Sequence, residues 1–471
     1  MHLQPELIER IHASTEGWAA GLRLIGLSLA EKSREERIGA VQSLTRERAL
    51  IFELLAVEVL EQQEATTRRF LLDTSVLPEL TPQRCAAVTG LPDCDALLRS
   101  IQRRNLFVAE TDASFHYHDL FREFLINRLR QADPGRYIEL HRHAAASESD
   151  DARAIQHWLA AGAIPEAAER IEAAGLRLYR RGADIPQGWL EAPPPELRDR
   201  SAGISFLYGM SALFRADFVA AIVNLERAAT LYEAAGDVAM LGEALSHLPL
   251  ALNHGAPPRE GAERATRALE RLFALPLPAT ARVRGLLSRF WLGLMRNERV
   301  AARRDLHDAV ALTIASDDPL VARNALTSIH ITSLLFTDEA ALLTTFVRTM
   351  VARYGEGYGQ LQVAIMSLEA GLTFLQGELP AARELALRGE RLASEAGEAT
   401  FSKLYLDLVQ FWAFWATGDW AGGEALLARR LPQLRVPEAQ QWAFALLAFR
   451  AYGHWLAGKI EALAAIADEL Q

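Results

Sequence analysis

His116 and His118 alternate along the short aromatic segment "SFHYH", a spacing that would put both imidazoles on one side of a strand. Two such rings could share a metal, but a zinc site needs further ligands, and no third one stands at a suitable spacing. His141 and His143 are two apart on a helical pattern and so point to different faces. "GHWLAGKI" (Gly453 to Ile460) satisfies the glycine and lysine spacing of a phosphate loop. Ile460 stands where the Mg²⁺-binding hydroxyl would be, and the string follows a helical segment rather than a strand, so a phosphate site is not expected there. "YGEGYGQ" (Tyr354 to Gln360) lacks the glycine spacing of a dinucleotide fingerprint and reads as an interhelical loop. Cys85 and Cys94 have no zinc-type partners and read as buried thiols. With no nucleophile, base and orienting group in a recognisable frame, no enzyme activity is expected of this chain.

Aromatic residues give a stronger signal. Five of the nine tryptophans fall between Trp412 and Trp455, with Phe411, Phe414, Phe444, Phe449 and Tyr452 among them. Two readings stand: ordinary core packing, or rings lining a ligand surface. The ligand-binding candidates are Trp412, Trp415, Trp442, Tyr452 and Trp455. Trp412 and Trp415 share a helix face by their spacing, and Trp415 and Trp442 could approach across neighbouring helices.

The elements that would position these residues are almost all helical. Helices are expected over 50–62, 64–74, 81–89 and 94–104, with Thr81 as an N-cap before Pro82 at the first helical position. "NLFVAE" (Asn105 to Glu110) and "SFHYH" (Ser114 to His118), joined by "TDA", form a hairpin pattern. Helices followed by a hairpin wing describe a winged helix. Arg103, Arg104 and the few nearby arginines are too sparse to track phosphates, so direct nucleic-acid binding is not expected. The net charge of −10 points the same way.

Further on, a short turn motif recurs: "RADFVAA", "RNERVAA", "FTDEAAL", "QGELPAA", "TGDWAGG" and "AGKIEAL". Its turn positions are Ala216, Asn297, Asp338, Gly377, Gly418 and Gly458, with "HGAPPREGA" near Ala256 in the remaining gap. Turns about 40 residues apart with two amphipathic helices between them mark an α-solenoid. Ala221 and Ala382, just after the turn, are small enough to let one helix cross the next. Asp151 to Ala183 is a helix-turn-helix of the same style, and the proline-rich stretch Ile185 to Arg200 reads as a linker. A second break, "LFALPLPATAR" from Leu272, reads as an inter-repeat loop. The fold class is therefore mainly α: a winged-helix unit with a short β-hairpin, a helical arm and a tetratricopeptide-like α-solenoid. No run of apolar residues is long enough to span a membrane and no signal peptide is seen, so a cytoplasmic protein is expected.

Several strings resemble the MalT-type regulators, ATP-dependent transcription activators of the signal-transduction ATPase (STAND) class. "STEGWAAGLRLIGLSL" (Ser14 to Leu29) is similar to the helix that closes their nucleotide-binding module. "FLLDTSVLPELTPQRCAAVTG", "LLRSIQRRNLFVAE" and "YHDLFREFL" are similar to their winged helix, and "LHRHAAASESDDARAIQHWLAAG" to the arm after it. The resemblance implies four parts: a helical remnant of the nucleotide-binding module (1–45), a winged helix (46–130), an arm and linker (131–195) and a superhelical sensor (196–471). It implies that His118, in "YHDLF", contacts a bound ADP phosphate. The Walker-motif module and the C-terminal helix-turn-helix of the LuxR kind are expected to lie outside this chain, so ATP or ADP is expected only with that missing module. The expected partners are a small-molecule inducer or a regulatory protein, and self-association. The function implied is sensing and relay within such a regulator. An interaction scaffold gripping a peptide in the solenoid groove is the alternative.

Overall fold

The computed structural model describes residues 56–57, 59–104, 106–111, 114–181, 185–215, 217–333, 339–355, 359–395 and 400–434, and then 446–447, 450–451, 454, 458–459, 461–463 and 466. The remnant assigned to 1–45 lies outside the described residues. The chain divides into two compact units, 1–171 and 172–471. That division falls inside the segment read as arm and linker.

Among the described residues of the first unit, α1 (Ala65–Thr74), α2 (Pro82–Thr89) and α3 (Cys94–Arg103) precede a hairpin. Thr81 caps α2 by accepting from the Arg84 amide at 3.2 Å, with Pro82 in the first turn and Gly90 closing the helix in the left-handed region. Strands β1 (Val108–Thr111) and β2 (Ser114–Tyr117) pair antiparallel, Val108 opposite Tyr117. Leu80 adds a bridge to Phe115 on the other edge of β2, so the wing is tied to the helices by backbone hydrogen bonds.

The wing is shorter than its sequence pattern. Phe107 has φ +55°, a conformation that no strand can continue, so β1 starts at Val108 and not at Asn105. His118 has also left its strand: it is the N-cap of α4 (Asp119–Ala132). The two histidines therefore do not share a strand face. His116 instead bonds Thr111 Oγ1 at 2.9 Å.

An apolar cluster runs from Ala56 to Ala144, with Phe70, Leu71, Phe121 and Leu125 fully buried in it and both buried cysteines within it. Burial pushes the Cys85 thiol up to about 12, which makes it a poor nucleophile. Helices α5 (Pro134–Ser147), α6 (Asp151–Ala160) and α7 (Ile164–Arg181) follow. Arg136 of α5 forks onto the buried Asp73 of α1 at 2.7 and 3.4 Å, and Arg84 of α2 reaches Glu79 and Glu148.

The second unit is a ladder of antiparallel helix pairs. The stretch read as a linker instead holds two short helices, α8 (Gln187–Glu191) and α9 (Pro195–Arg198), with Leu190 buried. Then come α10 (Ala202–Phe214), α11 (Phe218–Ala235), α12 (Val238–Gly255), α13 (Pro258–Phe273), α14 (Ala279–Met295), α15 (Arg299–Ala315) and α16 (Pro319–Ser333). They are followed by α17 (Ala340–Tyr354), α18 (Gly359–Leu375), α19 (Leu379–Glu395), α20 (Thr400–Ala416) and α21 (Trp420–Arg430).

The recurring turn motif has a backbone cause. Asn297, Gly377, Gly418 and Gly458 all have positive φ, the left-handed end of a helix. The next residue's amide then closes the turn onto a carbonyl five residues back, as in Glu298 to Gly293, Asp419 to Phe414 and Lys459 to His454. Where that residue is Asp it also caps the following helix: Asp217 accepts from Ala220 and Asp419 from Gly422, at 3.1 and 2.9 Å. Lys459, the lysine of the phosphate-loop-like string, thus occupies a helix end. Ala216 and Asp338 lie outside the described residues.

Candidate functional site

The corner that holds His118 is built from both sides of the wing. Its amide donates to the Phe107 carbonyl at 2.8 Å, and the Phe107 ring packs on Phe121 with centroids 4.7 Å apart. One turn on, the half-buried Arg122 spans to the end of α1, donating to the Ser75 and Val76 carbonyls at 3.1 and 3.4 Å. Below the corner, Thr74 spends its hydroxyl proton on Phe70 O, so Tyr117 must donate to Thr74 Oγ1, at 2.6 Å. Burial of that phenol holds it protonated. The half-buried His118 is therefore fixed by its backbone at the first turn of a helix, where amides face any approaching anion.

Sequence reasoning missed a second histidine feature. His141 of α5 and His157 of α6 meet at Nδ1···Nδ1, 2.9 Å apart, and both are buried. His143 points elsewhere, to Val88 O, as its spacing required. A hydrogen bond between two imidazoles needs one ring to donate and one to accept, so the pair carries at most one charge without breaking. Burial lowers both rings to about 4, and the nearby Arg122 works in the same direction on each. His141 Nε2 is buried with no hydrogen-bond partner among the described residues. A bare acceptor there is cheaper than a bare donor, which makes His141 the Nδ1 donor. No period in the sequence relates these residues; only the packing of α5 on α6 does.

In the second unit the polar groups follow the repeat. Glu226–Arg264, Glu233–Arg271, Glu243–Arg284 and Glu390–Arg430 are ion pairs 38, 38, 41 and 40 residues apart, one repeat each. The first is half-buried, the second exposed, and the last two are largely buried.

Around Glu243, Tyr179 and Thr280 donate to the carboxylate at 2.7 Å each, and Arg284 also donates to Ser246 at 2.9 Å. Burial would raise the Glu243 carboxyl, but Arg284 and the two hydroxyl donors hold it below its ordinary value. Tyr179 has then spent its only proton, so the His247 Nε2 at 2.8 Å must be the donor in that contact. His247 is locked as the neutral Nε2–H form, with burial pushing its basicity well down.

Around Asp407 the balance differs. Arg430 pairs with both Asp407, at 2.8 Å, and Glu390, while Asp407 Oδ1 has no hydrogen-bond partner among the described residues. Two carboxylates share one buried guanidinium, and burial first of all raises Asp407 to about 6.

Of the aromatic candidates, Trp412 and Trp415 are described and are half-buried. Trp412 packs on Phe374 at 5.8 Å, and Trp415 on Phe411, Trp420 and His454 at 4.1, 5.3 and 6.0 Å. They share α20 and both pack against the cluster of Phe411, Phe414 and Leu427, Trp412 meeting α18 and Trp415 meeting α21. A Cβ on Gly423 would lie 2.5 Å from Trp415 Nε1, so the last glycine of "TGDWAGG" makes room for that indole. Trp442, Tyr452 and Trp455 lie outside the described residues, and with them the proposed approach of Trp415 and Trp442. Among the described residues no group of three or more metal-ligating side chains assembles, and no helix is long and apolar enough to cross a membrane.

Residues 56–137 match the MalT winged helix domain family. The serine/threonine-protein kinase PknK of Mycobacterium tuberculosis (strain CDC 1551 / Oshkosh) is 32% identical over 171 residues, 35% of this chain and 15% of that protein. The HTH-type transcriptional regulator MalT of Klebsiella pneumoniae subsp. pneumoniae is 33% identical over 159 residues, 32% of this chain and 18% of that protein. The chain thus spans less than a fifth of the length of these relatives. A STAND protein with a tetratricopeptide repeat sensor from Pyrococcus horikoshii shares the fold, with a TM-score of 0.51 at 13% identity over 93% of this chain and 68% of that one. The resemblance read in the sequence therefore holds: a MalT-type winged helix is joined to a tetratricopeptide-like helical array.

Proposed function

We propose that this chain is the sensing and relay part of an ATP-dependent transcriptional regulator of the STAND class. One observation carries the reading: a MalT-type winged helix is followed, in the same chain, by a repeat array with the fold of a STAND sensor. The array receives an inducer or a regulatory protein. Occupancy favours one of two packings of the winged helix, and that unit passes the preference to a nucleotide-binding module. In that step His118 meets the nucleotide phosphate, a role supported by its place at the start of α4. The chain performs no catalysis of its own, binds no DNA directly, and is cytoplasmic. The rings of Trp412 and Trp415 serve the ligand face only where they are exposed.

A second reading has its own support. Two clefts formed by described residues carry arginines, one of them open along α17 at Thr345, Arg348, Thr349 and Arg353. Such a surface also suits a peptide or partner protein gripped by a scaffold.

Thermal melts against ADP, ATP, sugars, amines, amino acids and short peptides separate these readings. A ligand present at 100 times its dissociation constant adds about 2.7 kcal/mol. A shift with one small metabolite and none with nucleotide supports the sensor. A shift with peptides alone supports the scaffold.

A further inference from the structure

Helices α13, α14 and α15 enclose a cleft of about 600 Å³ lined by Phe273, Leu277, Arg282, Leu286, Arg289, Asp308, Ala311 and Leu312. Its size is that of a small-molecule site. Its residues come from single faces: Arg282, Leu286 and Arg289 lie along one side of α14, and Asp308, Ala311 and Leu312 along one side of α15. Leu286 is buried in the floor, Phe273, Leu277 and Leu312 are half-buried around it, and the three charged residues are exposed at the mouth.

The charges are set up unequally. Arg289 is held rigid: its guanidinium lies over the Phe273 ring at 4.3 Å and forks onto the buried Asp305, Nε and Nη2 donating at 2.8 and 2.6 Å. That fork leaves Nη1 free of any bond among the described residues. Asp308 raises the Arg289 basicity by its field, as Asp305 does first and more strongly, yet it makes no ion pair with Arg289. Asp308 and Arg282 form no hydrogen bond or ion pair among the described residues. A solvent-facing carboxylate and two guanidiniums thus line the same cleft as Phe273, Leu277, Leu286 and Leu312. An oriented guanidinium suits a carboxylate, an unpaired carboxylate suits an ammonium, and the floor suits a hydrocarbon group.

We propose that this cleft binds a zwitterion with an apolar side chain, that is, a free α-amino acid of the leucine or phenylalanine kind. The ligand carboxylate meets Arg282 and Arg289 Nη1, its ammonium meets Asp308, and its side chain covers Leu277, Leu286 and Leu312. The proposal rests on the sensor reading and names the ligand class for it.

The test is calorimetric titration of the whole chain with L-leucine and with L-phenylalanine. Leucinamide and N-acetyl-leucine, which each lack one of the two charges, are the controls. Saturable binding of the amino acids is expected, with about tenfold or greater weakening for either control and for Asp308→Asn or Arg282→Gln. Both substituted side chains are exposed and untied, so the variants keep the wild-type melting temperature. Absence of binding by both amino acids overturns the proposal, and so does binding that neither variant weakens. If another metabolite binds and the variants leave its affinity unchanged, the sensor reading survives and the cleft assignment fails.

Discussion

The two units reach stability by different designs. Among the described residues, the first has one apolar cluster running from Ala56 to Ala144, and its polar contacts join residues of no fixed separation, such as Asp73 with Arg136 and His141 with His157. The second has a series of clusters, each spanning a few helices and handing on to the next, stitched by Glu–Arg pairs one repeat apart. A unit with one core responds as a whole, which suits a two-state relay. A serial array yields locally, which suits a surface that adjusts to a ligand.

Emptying the centre of each unit tests that contrast with the largest effect. Phe121→Ala and Phe346→Ala each remove a fully buried ring and cost about 3–5 kcal/mol. Amide exchange will show Phe121→Ala exposing residues 65–144 together. Phe346→Ala will expose the neighbourhood of α16 to α18 and leave α10 to α13 protected. Uniform loss across the array would remove the serial account.

Cutting one inter-repeat link comes next. Glu243→Ala strands the buried Arg284 and will cost about 3 kcal/mol in a denaturant melt, whereas Glu233→Ala, which breaks an exposed pair, will cost less than about 0.5 kcal/mol. Equal costs would mean that the links act by spacing alone.

Acid then moves the two units in opposite directions. The His141–His157 pair has folded values of about 4, below the ordinary 6.5, so its contribution is full above pH 6.5 and is lost as pH falls towards 4. Asp407 has a folded value of about 6, above its ordinary 3.8, so its neutral form is favoured at low pH and stability is lost as pH rises through 6. Asp407→Asn will therefore stabilise the array at pH 7, on the order of 2 kcal/mol, and the gain will shrink by pH 5. His157→Asn will reduce the acid sensitivity of the first unit. An Asp407→Asn gain that does not change with pH would refute this assignment.

The smallest effect belongs to Gly423→Ala. The added methyl displaces the Trp415 indole at a cost of about 1 kcal/mol and will shift the tryptophan emission, while the first unit melts unchanged.

Much of this architecture was legible in the chain itself. The repeat turns were readable because a left-handed helix end selects glycine or asparagine, and the acidic residue after it caps the next helix, so both leave marks about 40 residues apart. The wing was readable from its aromatic alternation, but its start was not: Phe107 takes a backbone conformation that its residue type does not announce. The buried polar pairs stayed hidden for a different reason. His141 and His157 meet only because α5 packs on α6, and Tyr179 reaches His247 across 68 residues of sequence. The cleft between α13 and α15 is made of ordinary residues, and its meaning lies in Arg282 and Asp308 forming no ion pair among the described residues.

The central claim is that ligand occupancy of the array is felt by the winged helix. Hydrogen exchange of the whole chain, with and without L-leucine at saturation, tests it most directly at residues 106–125, where Phe107, Tyr117, His118 and Arg122 lie. The account predicts protection along α13 to α15 together with a changed exchange rate in 106–125. Protection confined to the array, with 106–125 unchanged, would contradict it.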